Sequence, residues 1–156
     1  DPRLRGIEGM EAEAGGVLCL TTQIGRHPND RKRQAVLREG GRHAITRFRT
    51  VERFGPPEKP IAALVECRLE TGRTHQIRVH LSHAGHPLIG NQTYRGARKA
   101  PQNGLSEAAR EGLDHFPRQA LHAATLGFIH PATEEEMVFE SPLPADMAQL
   151  LADLRG

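Results

Sequence analysis

Residues 43–69 contain the pattern that most limits the possible folds. In HAITRFRTVERF, from His43 to Phe54, Ala44, Thr46 and Phe48 alternate with the residues between them. Alternation among β-branched and aromatic side chains predicts a strand. IAALVECRL, residues 61–69, predicts a second strand, and the GPP sequence between them indicates a hairpin loop. Because 156 residues of which 37% are hydrophobic can bury a single core, we expect one antiparallel hairpin inside one domain.

The other predicted elements are short. Thr74 is a candidate N-cap for a helix over residues 75–84, which Gly85 would end. Further elements are a weak helix at 106–113, a second hairpin of 120–130 with 136–140, and a helix over 144–154. Residues 1–20, whose first part is rich in Gly and Glu, are expected to be a poorly ordered or atypical lead-in to residues 21–156. The sequence therefore predicts an α+β fold with a mixed, largely antiparallel sheet and short helices.

Composition restricts the environment and the partners. The formal net charge is only +2, but the basic residues concentrate between Arg26 and Arg49, which indicates a basic face. Cys19 and Cys67 are far apart without a CxxC spacing, which favours small packed side chains in a reducing compartment. No apolar run approaches the ~20 residues of a membrane span. We expect a cytoplasmic protein without a membrane partner.

The segment IGRHPNDRKRQAV, residues 24–36, is the most basic part of the chain. Arg26, His27, Arg31, Lys32 and Arg33 lie within eight positions. A phosphate backbone would neutralise this charge, although a charge run is as often a solvated loop, and the sequence alone leaves both open. With one Tyr and five Phe in the chain, an aromatic platform for single strands is not expected. Any grip on RNA would be basic and based on shape.

Several common chemistries find little support. His75, His80, His83 and His86 could suggest zinc, but they lack the second, separated pair of ligands that structural sites use, so we expect no metal. The glycines at 85, 90 and 96 form no phosphate-loop or dinucleotide motif. The serines lack nucleophile-elbow surroundings.

LETGRTHQIRVH, residues 69–80, is the strongest candidate for a site. A strand that ends at Leu69 and a helix that opens near Thr74 would place the amides of residues 74–76 at a helix N-terminus, which favours anions. Arg78 would project from the first turn. It could clamp a carboxylate or a phosphate, or it could form a surface ion pair with a residue such as Glu70.

Four segments also resemble one family in the same order. RLETGRTHQIRVHLSHAGHPLIGNQTY, residues 68–94, is similar to the third conserved block of the RluA-type pseudouridine synthases. Residues 24–36, 40–54 and 118–144 resemble further parts of that family, so the similarity covers most of residues 24–156. The chain is identified as a member, corresponding to the C-terminal part of the catalytic domain.

The resemblance implies a reaction and its residues. The family isomerises uridine in RNA to pseudouridine without cofactor or metal. RNA is therefore the expected partner, with ribosomal RNA favoured over transfer RNA. We expect the protein to be a monomer. Arg78 is similar to the arginine that pairs with and orients the catalytic aspartate. The matches at Arg73, Thr74, His75 and Gln76 imply neighbours that shape the pocket, and Leu69 resembles an apolar residue against the target base.

One family block has no match in the chain. The catalytic aspartate of the family lies in an H-R-L-D block, and none of the aspartates here has that context. We therefore expect a fragment that is inactive alone. The alternative is a non-catalytic RNA-binding module derived from the same fold.

Overall fold

The computed structural model describes residues 6–95 and 102–156 of the chain. Its strands are β1 (Met10–Ala12), β2 (Val17–His27), β3 (Asp30–Leu37), β4 (Arg42–Phe54), β5 (Ala62–Leu69), β6 (Thr125–Ile129) and β7 (Glu136–Glu140). Its helices are α1 (Gln76–His83), α2 (Glu107–His115) and α3 (Ala145–Arg155), and a 3-10 turn covers Ala14–Gly16. The α+β class is confirmed.

Strand β2 is the centre of the larger sheet. It pairs with β4 along one edge, and its other edge is shared by β1 and β3. Strand β5 extends the sheet beyond β4, while β6 and β7 form a separate hairpin. Every pair in the part of the chain that the structure describes is antiparallel, as expected when successive strands are joined by short connections.

The predicted hairpin of β4 and β5 is confirmed, including its faces. Ala44, Thr46 and Phe48 are all buried, so one side of β4 faces the interior as the alternation predicts. The register of β4 against β5 shifts between Thr50 and Glu52, so Val51 has no partner in β5 and forms a β-bulge. The predicted hairpin near the end of the chain also forms, with its first strand shortened to β6.

Two segments differ from the expectation. Residues 10–12 add a strand to β2, and Ile7 and Met10 pack against Leu20 and Phe48, so the described part of the lead-in belongs to the sheet. Residues 1–5 lie outside the described residues. The basic segment is a β-hairpin of β2 and β3 rather than a loop. Ile24 and Val36, two of its apolar side chains, pack in one buried cluster. Backbone hydrogen bonds to the neighbouring strands hold the segment as a hairpin, although its charged composition is typical of a solvated loop.

Helix α3 closes the main core. Its buried face consists of Met147, Leu150, Leu151 and Leu154, which pack with Phe54 and with residues of α2. Arg118 binds both carboxylate oxygens of Asp146 at the start of α3, at 2.8 and 2.7 Å, which fixes the segment after α2 against it. The C-terminal amphipathic helix is thus confirmed.

The β6–β7 hairpin is apolar and exposed. Five of its large apolar side chains are between 42% and 61% exposed: Leu126, Phe128, Ile129, Val138 and Phe139. None of its residues belongs to the three buried clusters of the described chain.

The helices of the described residues are short. The longest, α3, has 11 residues, and none of them is long and apolar enough to cross a membrane.

Helix α1 ends as the sequence predicts. Gly85 has φ +79°, its N–H donates to Ser82 O, and the N–H of His86 donates to Leu81 O. These two bonds form a Schellman motif, which satisfies the last carbonyls of the helix. The start differs by one residue, because the N-cap is His75 rather than Thr74.

Gly90 lies where the chain approaches the segment after α2. A Cβ at this position would lie 1.9 Å from the carbonyl oxygen of Arg118, and φ is +71°. At Gly85 φ is similarly positive, but no atom lies within 4 Å of an added Cβ. We predict that Gly85→Ala costs about 1–2 kcal/mol from its backbone angle alone.

Gly90→Ala adds a clash with backbone and should cost on the order of 4 kcal/mol or more in the free energy of unfolding. Urea unfolding of the two variants measures the difference. Equal losses for both would show that the approach of residues 90 and 118 is not as tight as the structure has it.

Candidate active site

The side chain of Gln76 fixes the first turn of α1 to the sheet. It is only 3% exposed. Its amide nitrogen donates to Ile45 O and Thr46 Oγ1, both at 2.9 Å. Its oxygen accepts from Arg73 N at 2.9 Å and from Thr71 Oγ1 at 2.8 Å. All four hydrogen-bonding positions of the amide are occupied, so the turn, β4 and α1 share one rigid junction.

A second buried polar chain continues from this junction. His80 is fully buried, with Nδ1 2.8 Å from Thr46 Oγ1 and Nε2 2.8 Å from Thr22 Oγ1. Since Thr46 accepts from Gln76, its own proton is available for Nδ1, and a neutral ring with its proton on Nε2 can donate to Thr22. Burial, and to a smaller extent the charge of His83, lowers the pKa of His80 to about 4. His80 is therefore a neutral link between α1, β4 and β2.

His75 takes an unusual backbone conformation at the head of α1. Its φ is +58°, in the left-handed region that a non-glycine residue rarely adopts. Its side chain caps no helix amide; instead Nδ1 lies 2.9 Å from the hydroxyl of Tyr94, and the two rings meet edge to face. Burial, together with the charge of Arg78, lowers the pKa of His75. Strain of this kind persists where neighbouring contacts enforce it.

Arg78 lies against the loop after α1. Its Nη2 donates to Asn91 Oδ1 at 2.9 Å, and its guanidinium lies over the Tyr94 ring, 5.1 Å from the centroid. Its Nε is buried without a hydrogen-bond partner in the described residues. No carboxylate of residues 6–95 or 102–156 pairs with it. A held cation with an unused donor is suited to receive an anionic group.

The surface ion pair considered for Arg78 is not formed. Glu70 pairs instead with Arg47 of β4. The alternative suggested by the sequence, in which Arg78 only balances Glu70, is wrong.

The other residues of the 69–80 segment divide into anchors and exposed groups. Arg73 Nε donates to His43 O at 2.8 Å, which ties the turn to β4. Thr74 is exposed. Leu69, at the end of β5, is 48% exposed and pairs in register with Thr46. The predicted anion site at the amides of 74–76 is partly used already, because Gln76 N donates to Arg73 O.

The basic residues lie along the β2–β3 hairpin. Arg26, Arg31 and Lys32 are exposed. His27 accepts the N–H of Asn29 at the turn. Arg33 differs from its neighbours, because it is partly buried and its guanidinium lies over the Tyr94 ring at 5.4 Å. The hairpin thus joins the Arg78 site through a shared tyrosine.

Asn91 and Tyr94 belong to the site, although the sequence did not single them out as site residues. Both are buried, at 3% and 2% exposed, and Asn91 Oδ1 also accepts from the amides of Thr93 and Tyr94. The available signal was a single tyrosine, and an Asx-type residue, in a loop of turn-forming residues. Among the described residues, no group of three His, Cys, Asp or Glu side chains is arranged to hold a metal ion.

The neutral state of His80 predicts a pH dependence. An unfolded chain binds a proton at His80 below the ordinary pKa of 6.5, but the folded protein does so only near pH 4. The free energy of unfolding should therefore fall as the pH falls from 6.5 towards 4. His80→Gln, which can still donate and accept, should lose much of this slope, as measured by urea unfolding across that range.

The matched control is His43→Gln, an exposed histidine of β4 that does not contribute to the shift at His80, and it should keep the slope of the unchanged protein. An identical pH slope for His80→Gln and the unchanged protein would contradict a buried neutral His80.

Comparison with known proteins gives this geometry a family. Residues 12–83 match the model of the RNA pseudouridylate synthase family. The chain is 48% identical over 132 residues to ribosomal large subunit pseudouridine synthase D of Xanthomonas campestris, covering 85% of this chain and 38% of the relative. It is 43% identical over 143 residues to the protein of that name from Escherichia coli, covering 92% of this chain and 41% of the relative.

The fold has a solved counterpart. The structure of human RNA pseudouridylate synthase domain containing 1 superposes with a TM-score of 0.61 at 23% identity, over 94% of this chain and 62% of that one. The chain spans about two fifths of the length of the bacterial relatives. The family match includes β2 to α1 and therefore most of the segment around Arg78. On these matches, the chain belongs to the RluA-type family of pseudouridine synthases.

Proposed function

We propose that the protein containing this chain isomerises uridine to pseudouridine in RNA, and that this chain supplies the arginine side of the active site. The observation that carries the proposal is Arg78, a guanidinium held by Asn91 and Tyr94 with no acidic partner in the described residues. The bond to Asn91 uses one N–H of Nη2, so the other terminal N–H groups have no hydrogen-bond partner in the described residues and can meet a further group. A carboxylate contributed from outside this chain fits that need.

The reaction explains why such a cation is useful. The bond between N1 of uracil and C1′ of the ribose breaks, a bond between C5 and C1′ forms, and the proton on C5 is replaced by one on N1. An aspartate that acts at this centre must be ionised and fixed in one rotamer. A nearby guanidinium favours the ionised form and holds both carboxylate oxygens. In this proposal Arg78 orients the catalytic aspartate, and the chain alone is inactive.

The surroundings of Arg78 fit the remaining roles. Leu69 presents a half-exposed apolar side chain at the end of β5, which could lie against a flipped uracil. Arg73 and Gln76 shape the pocket edge by fixing the backbone, and Thr74 remains open to RNA. His75 acts through Tyr94.

The exposed basic residues of the β2–β3 hairpin supply the RNA contact in this proposal. Arg26, Arg31 and Lys32 project from one continuous hairpin that reaches the Arg78 site through Arg33 and Tyr94. Since two close relatives carry the name of a large ribosomal subunit synthase, we propose ribosomal RNA as the substrate.

The role of Arg78 can be tested in the complete protein. Arg78→Ala should lower the single-turnover rate of pseudouridine formation in ribosomal RNA by at least about 100-fold, as expected when one preorganised charge is removed. Arg78→Lys keeps the charge but loses the planar fork, so it should recover only part of the rate.

Arg155→Ala is the matched control, because this arginine lies at the end of α3, outside the site, where it pairs with Glu52 of β4. It should leave the rate unchanged. Near-normal turnover by Arg78→Ala would refute the proposed role, and absence of turnover by the unchanged complete protein would refute the proposed reaction.

The RNA contact predicts a salt dependence. Replacing both Arg31 and Lys32 by Ala removes two exposed cations. The negative slope of log affinity against log salt should therefore become shallower by about 1.5 for a mainly single-stranded contact. Filter binding of ribosomal RNA fragments by the complete protein measures this slope.

The control is a double variant of Lys59→Ala, in the exposed connection between β4 and β5, with Arg155→Ala at the end of α3. It removes the same charge outside the β2–β3 hairpin and should leave the slope nearly unchanged. Equal changes in both double variants would mean that net charge, rather than the β2–β3 hairpin, governs binding.

A further inference from the structure

Tyr94 connects three parts of the site that are far apart in sequence. Its hydroxyl accepts the backbone N–H of Gln34 in β3 at 2.9 Å and lies 2.9 Å from His75 Nδ1 at the head of α1. Its ring lies beneath the guanidinium groups of both Arg33 and Arg78. A buried tyrosine that merely filled the core would not need charged groups over its ring.

The hydroxyl sets the direction of the hydrogen bonds. Because the oxygen accepts from Gln34 N, its own proton can go to an unprotonated His75 Nδ1. A neutral His75 therefore completes the bonding of a hydroxyl that is almost fully buried. The left-handed backbone at His75 places this ring at the start of the helix that carries Arg78.

The Tyr94 ring offsets part of the cost of burying the Arg78 charge, which hydrogen bonds alone do not offset. Nε of Arg78 is buried and unpaired in the described chain, while Nη2 is bound by Asn91. The negative face of an aromatic ring attracts a desolvated cation without occupying its donors. Asn91 and Tyr94 thus hold the guanidinium from two sides and leave its remaining N–H groups available.

We propose that Tyr94 is a positioning residue that holds Arg78 for catalysis and couples it to the RNA-facing β2–β3 hairpin. This inference rests on the proposed function. The ring sets the position of the guanidinium, and the hydroxyl fixes the ring between β3 and α1. Arg33 lies over the same ring, so phosphate contacts along the hairpin and the orientation of Arg78 share one support.

The test compares Tyr94→Phe and Tyr94→Leu in the complete protein under single-turnover conditions. Tyr94→Leu keeps apolar volume but removes the ring face, so its rate should fall roughly 10- to 100-fold, the effect of a misplaced catalytic group. Tyr94→Phe keeps the ring and should recover most of that loss. RNA affinity should change much less than the rate in both variants.

A thermodynamic cycle separates positioning from folding. If Tyr94 acts through Arg78, Tyr94→Leu should lower the rate much less in an Arg78→Lys background than in the unchanged protein. A structural role instead predicts equal losses in both backgrounds and the same loss for Phe and Leu, in proportion to the unfolded fraction. Either of those results would overturn the proposal.

A readout independent of turnover keeps the two proposals distinguishable. The Hε signal of Arg78, assigned by its loss in Arg78→Lys, should be shifted upfield by the ring current in the unchanged protein and in Tyr94→Phe, and should move downfield in Tyr94→Leu. A Hε signal that Tyr94→Leu leaves in place would overturn the positioning role even if the enzyme is active. With the expected shift but no pseudouridine formed by the unchanged protein, the proposed reaction fails, and with it the catalytic purpose assigned to Tyr94.

Discussion

The buried amide of Gln76 holds the site together. A glutamine with every donor and acceptor used cannot change its orientation without breaking several hydrogen bonds in an environment that excludes water. It fixes the turn after β5, the strand β4 and the first turn of α1 relative to one another. Arg78 is two residues further along this turn, so its position follows from the same junction.

The site combines a rigid frame with an unfinished charge. Thr46, His80 and Thr22 extend the polar frame across the sheet to β2, and Tyr94 extends it to β3. Within this frame most polar groups have partners, which is usual for buried groups. Among the residues that the structure describes, the buried donors that lack one are on Arg33, Arg78 and Asn91, which all lie around Tyr94. That concentration is consistent with a surface prepared for another group.

Local patterns predicted the elements whose signals are short-range. The alternation in β4 and the apolar spacing in α3 identified those elements, and the glycine after α1 marked its end. The β2–β3 hairpin was missed because charged side chains dominate its sequence, while its order comes from pairing with strands elsewhere. Arg78 was a candidate from its place at the start of the expected helix, and the family resemblance gave it a specific role. Tyr94 was not assigned to the site because its contacts join positions 34, 75, 78 and 94, which no local periodicity connects.

We propose that Arg78 is held ready for a carboxylate supplied from outside this chain. A crystal structure of the complete protein tests this most directly. We expect an aspartate oxygen about 2.7–2.9 Å from the Arg78 guanidinium, with the contacts to Asn91 and Tyr94 kept. A structure in which Arg78 has no acidic partner, or in which it leaves Tyr94 to pair with another surface group, would contradict it.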